Sequence, residues 1–156
     1  GTVWETKHWG SEGFAEVGKE LLGRGYAVVL AGSPKDRPRC QRVAEASPGV
    51  CDIAGQTTLA EMIALIRRAA LCVTNDSGSM HVAVALDKPV VSVFGPTNPL
   101  RTGPYGRPLA VVQADIECSP CYLRKLSRCP HDHLCMREVT SAMVLDRLAR
   151  LQSEAA

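Results

Sequence analysis

The sequence predicts an α/β fold, a parallel β-sheet flanked by helices. Three observations carry this. Short apolar runs are bounded by turn-forming residues, longer stretches between them place apolar residues at helical spacing, and the two kinds of segment alternate along the chain. Alternation of this kind is the pattern of βαβ units. Strands in parallel sheets are covered on both faces, so they read as continuous apolar runs.

Taken in order, Gly1 to Trp9 reads as a loop. A doubly wound domain should open on a strand, so the first strand is expected to be missing and the chain to be cut from something longer. Ser11 to Arg24 has Phe14, Val17, Leu21 and Leu22 at helical spacing, with Ser11 a candidate N-cap and Gly25 a candidate stop. Tyr26 to Ala31 is the first apolar run. Lys35 to Ala46 reads as a more polar helix and Val50 to Ile53 as a short strand. Thr58 can cap a helix through Ala70, with Leu59, Met62, Ile63 and Ile66 on one face. Leu71 to Thr74 is a strand, Asn75 to Gly78 a turn, and a helix follows through Leu86. Val90 to Phe94 and Leu109 to Gln113 are further strands. Ser141 to Leu151 is the closing helix. Crossovers should be right-handed.

The 156 residues suit one domain of ordinary size, expected to span 1–156. A net charge of +2 and 4% aromatic residues argue against a nucleic-acid partner and against base-stacking platforms. No stretch nears the ~18 apolar residues of a bilayer span. No signal-peptide pattern is visible, so a cytoplasmic location is the default expectation.

Val73 to Ala85 carries the strongest local signal: an apolar strand, the turn Asn75-Asp-Ser-Gly78, then a helix. Ligands of open α/β sheets bind outside the carboxyl ends of strands. Amides of Ser77, Gly78, Ser79 and Met80 would point out of the helix N-terminus, where the dipole favours an anion such as phosphate. Gly78 lets backbone approach closely, Asp76 can orient the loop or meet a sugar hydroxyl, and His81 lies in the first helical turn. The plain alternative is an Asp or Ser N-cap with a surface histidine. Val90 to Pro99 repeats the arrangement, a strand ending in Gly95-Pro-Thr97, and this loop should lie beside the first at one sheet edge. Lys7 can pair with a diphosphate, or it is simply solvated. A serine hydrolase built on Asp76, Ser77 and His81 fails on pattern, because Gly-x-Ser-x-Gly is absent.

The segment from about 115 to 137 is rich in cysteine. Cys118, Cys121, Cys129 and Cys135, with His131 and His133, lie close enough in sequence for a tetrahedral zinc site. The first pair has zinc-like spacing and the second is wider than usual. The alternative is a set of buried free thiols in a loop near the cleft, since a reducing cytosol disfavours disulfides. Cys40, Cys51 and Cys72 read as core or near-core residues.

Together, Thr6-Lys-His-Trp9, Val29-Leu-Ala-Gly-Ser33, Asn75-Asp-Ser-Gly-Ser-Met-His81, Phe94-Gly-Pro-Thr97 and Thr102-Gly-Pro-Tyr-Gly106 resemble glycosyltransferase family 9, the lipopolysaccharide heptosyltransferases. Cys121 to Met136 resembles the cysteine-bearing stretch of heptosyltransferase II-like members. The resemblance covers nearly the whole chain. It implies the C-terminal, donor-binding half of a GT-B enzyme, an architecture of two Rossmann-like domains facing a cleft. It further implies ADP-heptose as donor, inversion and metal independence, with no cofactor; no Asp-x-Asp motif is present to hold a metal. Carried over by residue, Lys7 would contact the donor phosphates, Asp76, Ser77 and Gly78 would hold sugar and diphosphate, and His81 would lie beside them. Asp36 would meet the adenosine ribose, and Thr57 would offer backbone contact near the adenine. The acceptor, lipid A-Kdo, and the general base belong to the absent N-terminal domain. That part also implies peripheral association with the inner face of the inner membrane. The alternatives are a zinc-binding interaction module and a glycosyltransferase using another nucleotide sugar.

Overall fold

The computed structural model describes residues 1–154; Ala155 and Ala156, the end of the expected 1–156 span, lie outside them. The chain forms two compact units, Gly10–Leu65 and a second made of Gly1–Trp9 together with the chain from Ile66 on.

In the first unit, helix α1 (Ser11–Gly23) is followed by strand β1 (Val29–Leu30), helix α2 (Arg37–Ala46) and strand β2 (Cys51–Asp52). The N-cap of α1 is Gly10, with no side-chain hydrogen bond, and Ser11 is the first helical residue. The buried face of α1 is Ala15, Val17, Gly18 and Leu21. Gly18 is there because α1 comes close to the end of α2: a Cβ at this position would stand 3.2 Å from the Ser47 hydroxyl. Strands β1 and β2 pair in parallel, Val29 with Cys51 and Leu30 with Asp52. The apolar run from Tyr26 therefore contributes only two ladder residues. Its Val29 side is 40% exposed, because a two-stranded ladder has little to cover it. Helix α3 (Leu59–Arg68) begins here. Thr58 caps it as expected: its hydroxyl receives the Glu61 amide at 3.3 Å, and its amide donates to the Glu61 carboxylate at 2.7 Å.

The second unit holds strands β3 (Cys72–Asn75), β4 (Val90–Phe94) and β5 (Val111–Gln113) and helices α4 (Gly78–Ala85), α5 (Pro99–Thr102), α6 (Leu134–Arg137) and α7 (Ser141–Glu154). The strands lie in the order β3-β4-β5, all parallel. The parallel pairing is borne out, though in two separate sheets. Central strand β4 is buried along its whole length, with α4, α6 and α7 packed against it. Met80, Phe94, Val91, Val93, Val144 and Leu148 form the middle of this core. The last strand is shorter than its apolar run, since Pro108–Ala110 is a 3-10 turn. Glu5–Lys7, expected as loop, is also a 3-10 turn. Among the described residues no helix is long and apolar enough to cross a membrane.

Candidate functional site

Because β3 and β4 are neighbours in register, the loops that leave their carboxyl ends stand side by side. The Asp76 amide donates to the Val93 carbonyl at 3.1 Å, which extends the ladder one step and turns the Asp76 side chain toward the second loop. There the Thr97 hydroxyl donates to Asp76 Oδ2 at 2.7 Å. The same oxygen receives Lys7 Nζ at 2.6 Å, with the two side chains only 14% and 5% exposed. Lys7 also lies over the Trp4 ring, 4.6 Å from its centre.

Segment 1–9 is held on this corner by Trp9. Its amide donates to Asn75 Oδ1 at 3.0 Å, and its indole N–H donates to the Val139 carbonyl at 2.8 Å, both buried. Asn75 thus explains its place in the turn: its side-chain carbonyl carries the lysine segment, while Asp76 beside it carries the lysine.

The other half of the corner is the start of α4. Ser77 is its N-cap in extended conformation and makes no side-chain cap bond; its hydroxyl pairs with that of Thr74 at 2.9 Å. The Met80 amide, expected to be free, donates to the Ser77 carbonyl at 3.1 Å. That leaves the amides of Gly78 and Ser79 as the outward-pointing pair of the first turn, with no acceptor among the described residues. Gly78 is exposed and a Cβ built on it meets nothing within 4 Å, so the corner is open. His81 is exposed, and no hydrogen bond or ion pair ties it to Lys7 or Asp76. A cation held on Asp76 and unpaired amides at the helix start that follows it are the elements of an anion site.

A family model describes this chain over most of its length: glycosyltransferase family 9 (heptosyltransferase) matches residues 1–131. The chain belongs to glycosyltransferase family 9. Among its relatives in the family, the lipopolysaccharide heptosyltransferase 1 of Pseudomonas aeruginosa is 39% identical over 122 residues, covering 78% of this chain and 34% of that protein. The lipopolysaccharide heptosyltransferase 2 of Salmonella typhimurium is 35% identical over 153 residues, covering 95% of this chain and 43% of that one. Of solved structures, the E. coli ADP-heptose LPS heptosyltransferase II superposes with a TM-score of 0.80 at 32% identity, covering all of this chain and 46% of that one. The chain thus spans less than half the length of these relatives.

Two further residues named from the family resemblance lie in the unit Gly10–Leu65. Asp36 is buried and closes a capping box, its Oδ2 accepting the Ser33 amide at 2.8 Å and hydroxyl at 2.6 Å. Thr57 immediately precedes the Thr58–Glu61 cap.

The cysteine-rich loop matches the free-thiol reading in part: the thiols are free and the loop packs beside the site, but most of them are not buried. All seven cysteines are free thiols, and of the loop's four only Cys135 is buried; Cys121 is exposed and Cys118 and Cys129 are intermediate. Cys51, expected near the core, is exposed too, because it sits on the two-stranded ladder. Burial, then the nearby sulfurs of Cys121, Cys118 and Cys129, push the Cys135 thiol up to about 11. Among the described residues no three His, Cys, Asp or Glu side chains are placed to hold a metal ion, so the zinc-module alternative gains no support. What the loop does instead is brace the site. The Ser119 hydroxyl donates to the Gly95 carbonyl at 2.5 Å, and the Tyr122 amide donates to the Pro96 carbonyl at 2.8 Å. Cys135 and Met136 pack on Gly95 so closely that a Cβ there would stand 3.0 Å from the Cys135 sulfur.

Thr97 was not singled out from sequence as a site residue, and the cysteine-rich loop was singled out for metal or thiols rather than as a brace. The visible signal for Thr97 was its place directly after the Gly-Pro turn of a buried strand.

Proposed function

We propose that this chain is the donor-binding part of a glycosyltransferase that moves heptose from ADP-heptose to the lipopolysaccharide inner core. The observation that carries the reading is Lys7 held on Asp76, two residues ahead of the open first turn of α4 at Gly78 and Ser79. It fits the chemistry of a nucleoside diphosphate leaving group. Transfer releases a diphosphate whose charge grows as the glycosidic bond breaks. Groups already aimed at that charge stabilise the transition state, and one such donor is worth ~3–4 kcal/mol in known sites. Here the Lys7 ammonium and the amides of Gly78 and Ser79 take that role, with no metal required. Asp76 both holds Lys7 in place and offers a carboxylate to a sugar hydroxyl, and His81 borders the same opening. The proposals of Asp36 for the ribose and Thr57 for the adenine rest on the family resemblance.

The similar E. coli protein is named as an ADP-heptose enzyme, which supports the choice of donor. Acceptor binding and the general base, worth ~10²–10⁴-fold, are assigned to sequence outside this chain. That sequence would hold lipid A-Kdo at the inner face of the inner membrane. The expected behaviour of the chain by itself is donor binding without efficient turnover. Calorimetric titration with ADP should give a saturable exotherm or endotherm; no heat at millimolar ADP would overturn the reading.

A further inference from the structure

Lys7 is the cation of the corner, yet its own element is a 3-10 turn of three residues, Glu5–Lys7. Such a turn is too short to hold a side chain in place, so its rigidity comes from elsewhere. It comes from the far end of the chain. Thr6 is 2% exposed, and its hydroxyl donates to the Leu123 carbonyl at 2.5 Å. The Glu5 amide donates to the Arg124 carbonyl at 3.1 Å, and the Glu5 carboxylate accepts the Leu126 amide at 3.1 Å. The Thr6 carbonyl is paired with His133 Nε2 at 2.7 Å. A carbonyl only accepts, so Nε2 carries the proton in this pair.

That last bond bears most directly on Lys7. The Thr6 carbonyl belongs to the peptide unit that ends at the Lys7 nitrogen, so fixing its direction fixes the plane from which the lysine side chain departs. His133 is itself pinned. Its backbone is left-handed, with φ at 59°, and its amide donates to the Cys129 sulfur at 3.4 Å. Its carbonyl accepts the amides of Met136 and Arg137, at 3.0 and 3.2 Å. A left-handed conformation at a non-glycine residue persists only where the surroundings over-determine it.

We infer that His133 is a positioning residue for Lys7, acting through the Thr6 carbonyl to aim the ammonium at the donor diphosphate, and that the cysteine-rich loop exists in part to present it. This rests on the nucleotide-binding reading above. The test is ADP titration of the chain carrying His133→Gln, which keeps an N–H donor at similar reach, and His133→Leu, which removes it. Each is also made in the Lys7→Met background. His133→Leu should weaken ADP binding roughly 3- to 30-fold, His133→Gln should restore most of it, and His133→Leu should cost nothing further once Lys7 is Met. A merely structural histidine would lower the unfolding temperature and weaken binding by the same factor in both backgrounds, which overturns the inference, as does unchanged binding in His133→Leu. Because a bare buried carbonyl can prevent folding, Cys129→Ala serves as a milder second variant. It loosens His133 without unpairing Thr6, and its smaller loss should likewise vanish in the Lys7→Met background. Loss that persists there counts against the role. If the unsubstituted chain fails to bind ADP, the nucleotide reading itself is what has failed.

Discussion

Replacing Gly78 by alanine separates a ligand role from a structural one. Gly78 is the first residue of α4 and its φ is not among the positive ones, so alanine fits the backbone. Nothing lies within 4 Å of the added methyl, so packing is undisturbed. Helix propensity alone favours alanine over glycine by up to ~1 kcal/mol. For a chain of this size that is a rise of roughly 2–4 °C per kcal/mol in unfolding temperature. The methyl does, however, project into the open space that the anion would occupy. Pushing a phosphate oxygen off one charge-assisted hydrogen bond costs ~1.5–3 kcal/mol, which is ~10- to 150-fold in the ADP dissociation constant. Circular dichroism melting and ADP calorimetry on one preparation give both numbers. The expected pair is equal or higher stability with binding weakened at least tenfold. Unaltered ADP affinity in a fully folded Gly78→Ala protein would show that the anion does not sit on these amides.

Three other outcomes follow from the same geometry. Lys7→Met should weaken ADP binding by a similar factor. It should also lower stability in urea unfolding by up to about 3 kcal/mol, because it strands the buried Asp76 carboxylate; adding Asp76→Asn should recover most of that stability and none of the binding. Gly95→Ala should destabilise the chain by ~1–3 kcal/mol, since its methyl would meet the Cys135 and Met136 side chains. The Cys135 thiol sits at about 11 in the fold, against an ordinary value of 9.0. Its stabilising share is complete below pH 9 and is lost as pH rises through 11, because above 9 the unfolded chain releases a proton that the fold retains. The melting temperature should therefore fall between these values, and Cys135→Ala should flatten that part of the fall.

Strand β4 was legible to the residue because five consecutive apolar or small residues, Val90–Phe94, are buried on both faces, and only a central strand tolerates that. The strand, turn and helix order around Asn75–Gly78 was legible because the three follow one another without a gap, although Asn75 closes β3 and Gly78 opens α4, leaving only Asp76 and Ser77 between them. The run Tyr26 to Ala31 looked just as strand-like, yet only Val29 and Leu30 pair, because pairing depends on a partner and β2 offers two residues. Nor does local sequence show that Lys7 meets Asp76, that Trp9 bonds Asn75, or that Thr6 is paired with His133. Those contacts join residues from 66 to 127 positions apart, and no periodicity reports them. The cysteine spacing offered metal chemistry as one reading, and spacing does not encode exposure: of Cys118, Cys121, Cys129 and Cys135 only the last is buried.

The unit that carries Lys7 and Asp76 is discontinuous: Gly1–Trp9 joins the chain from Ile66 on, with Gly10–Leu65 intervening in sequence. Closing such a detour has an entropic cost and tends to come late in folding. The opening nine residues can therefore dock only once β3, β4 and the loop near His133 are already assembled. Affinity for a nucleotide would then gauge the chain's completed closure, because a nascent or partly unravelled copy would possess the amides but not the ammonium that answers them.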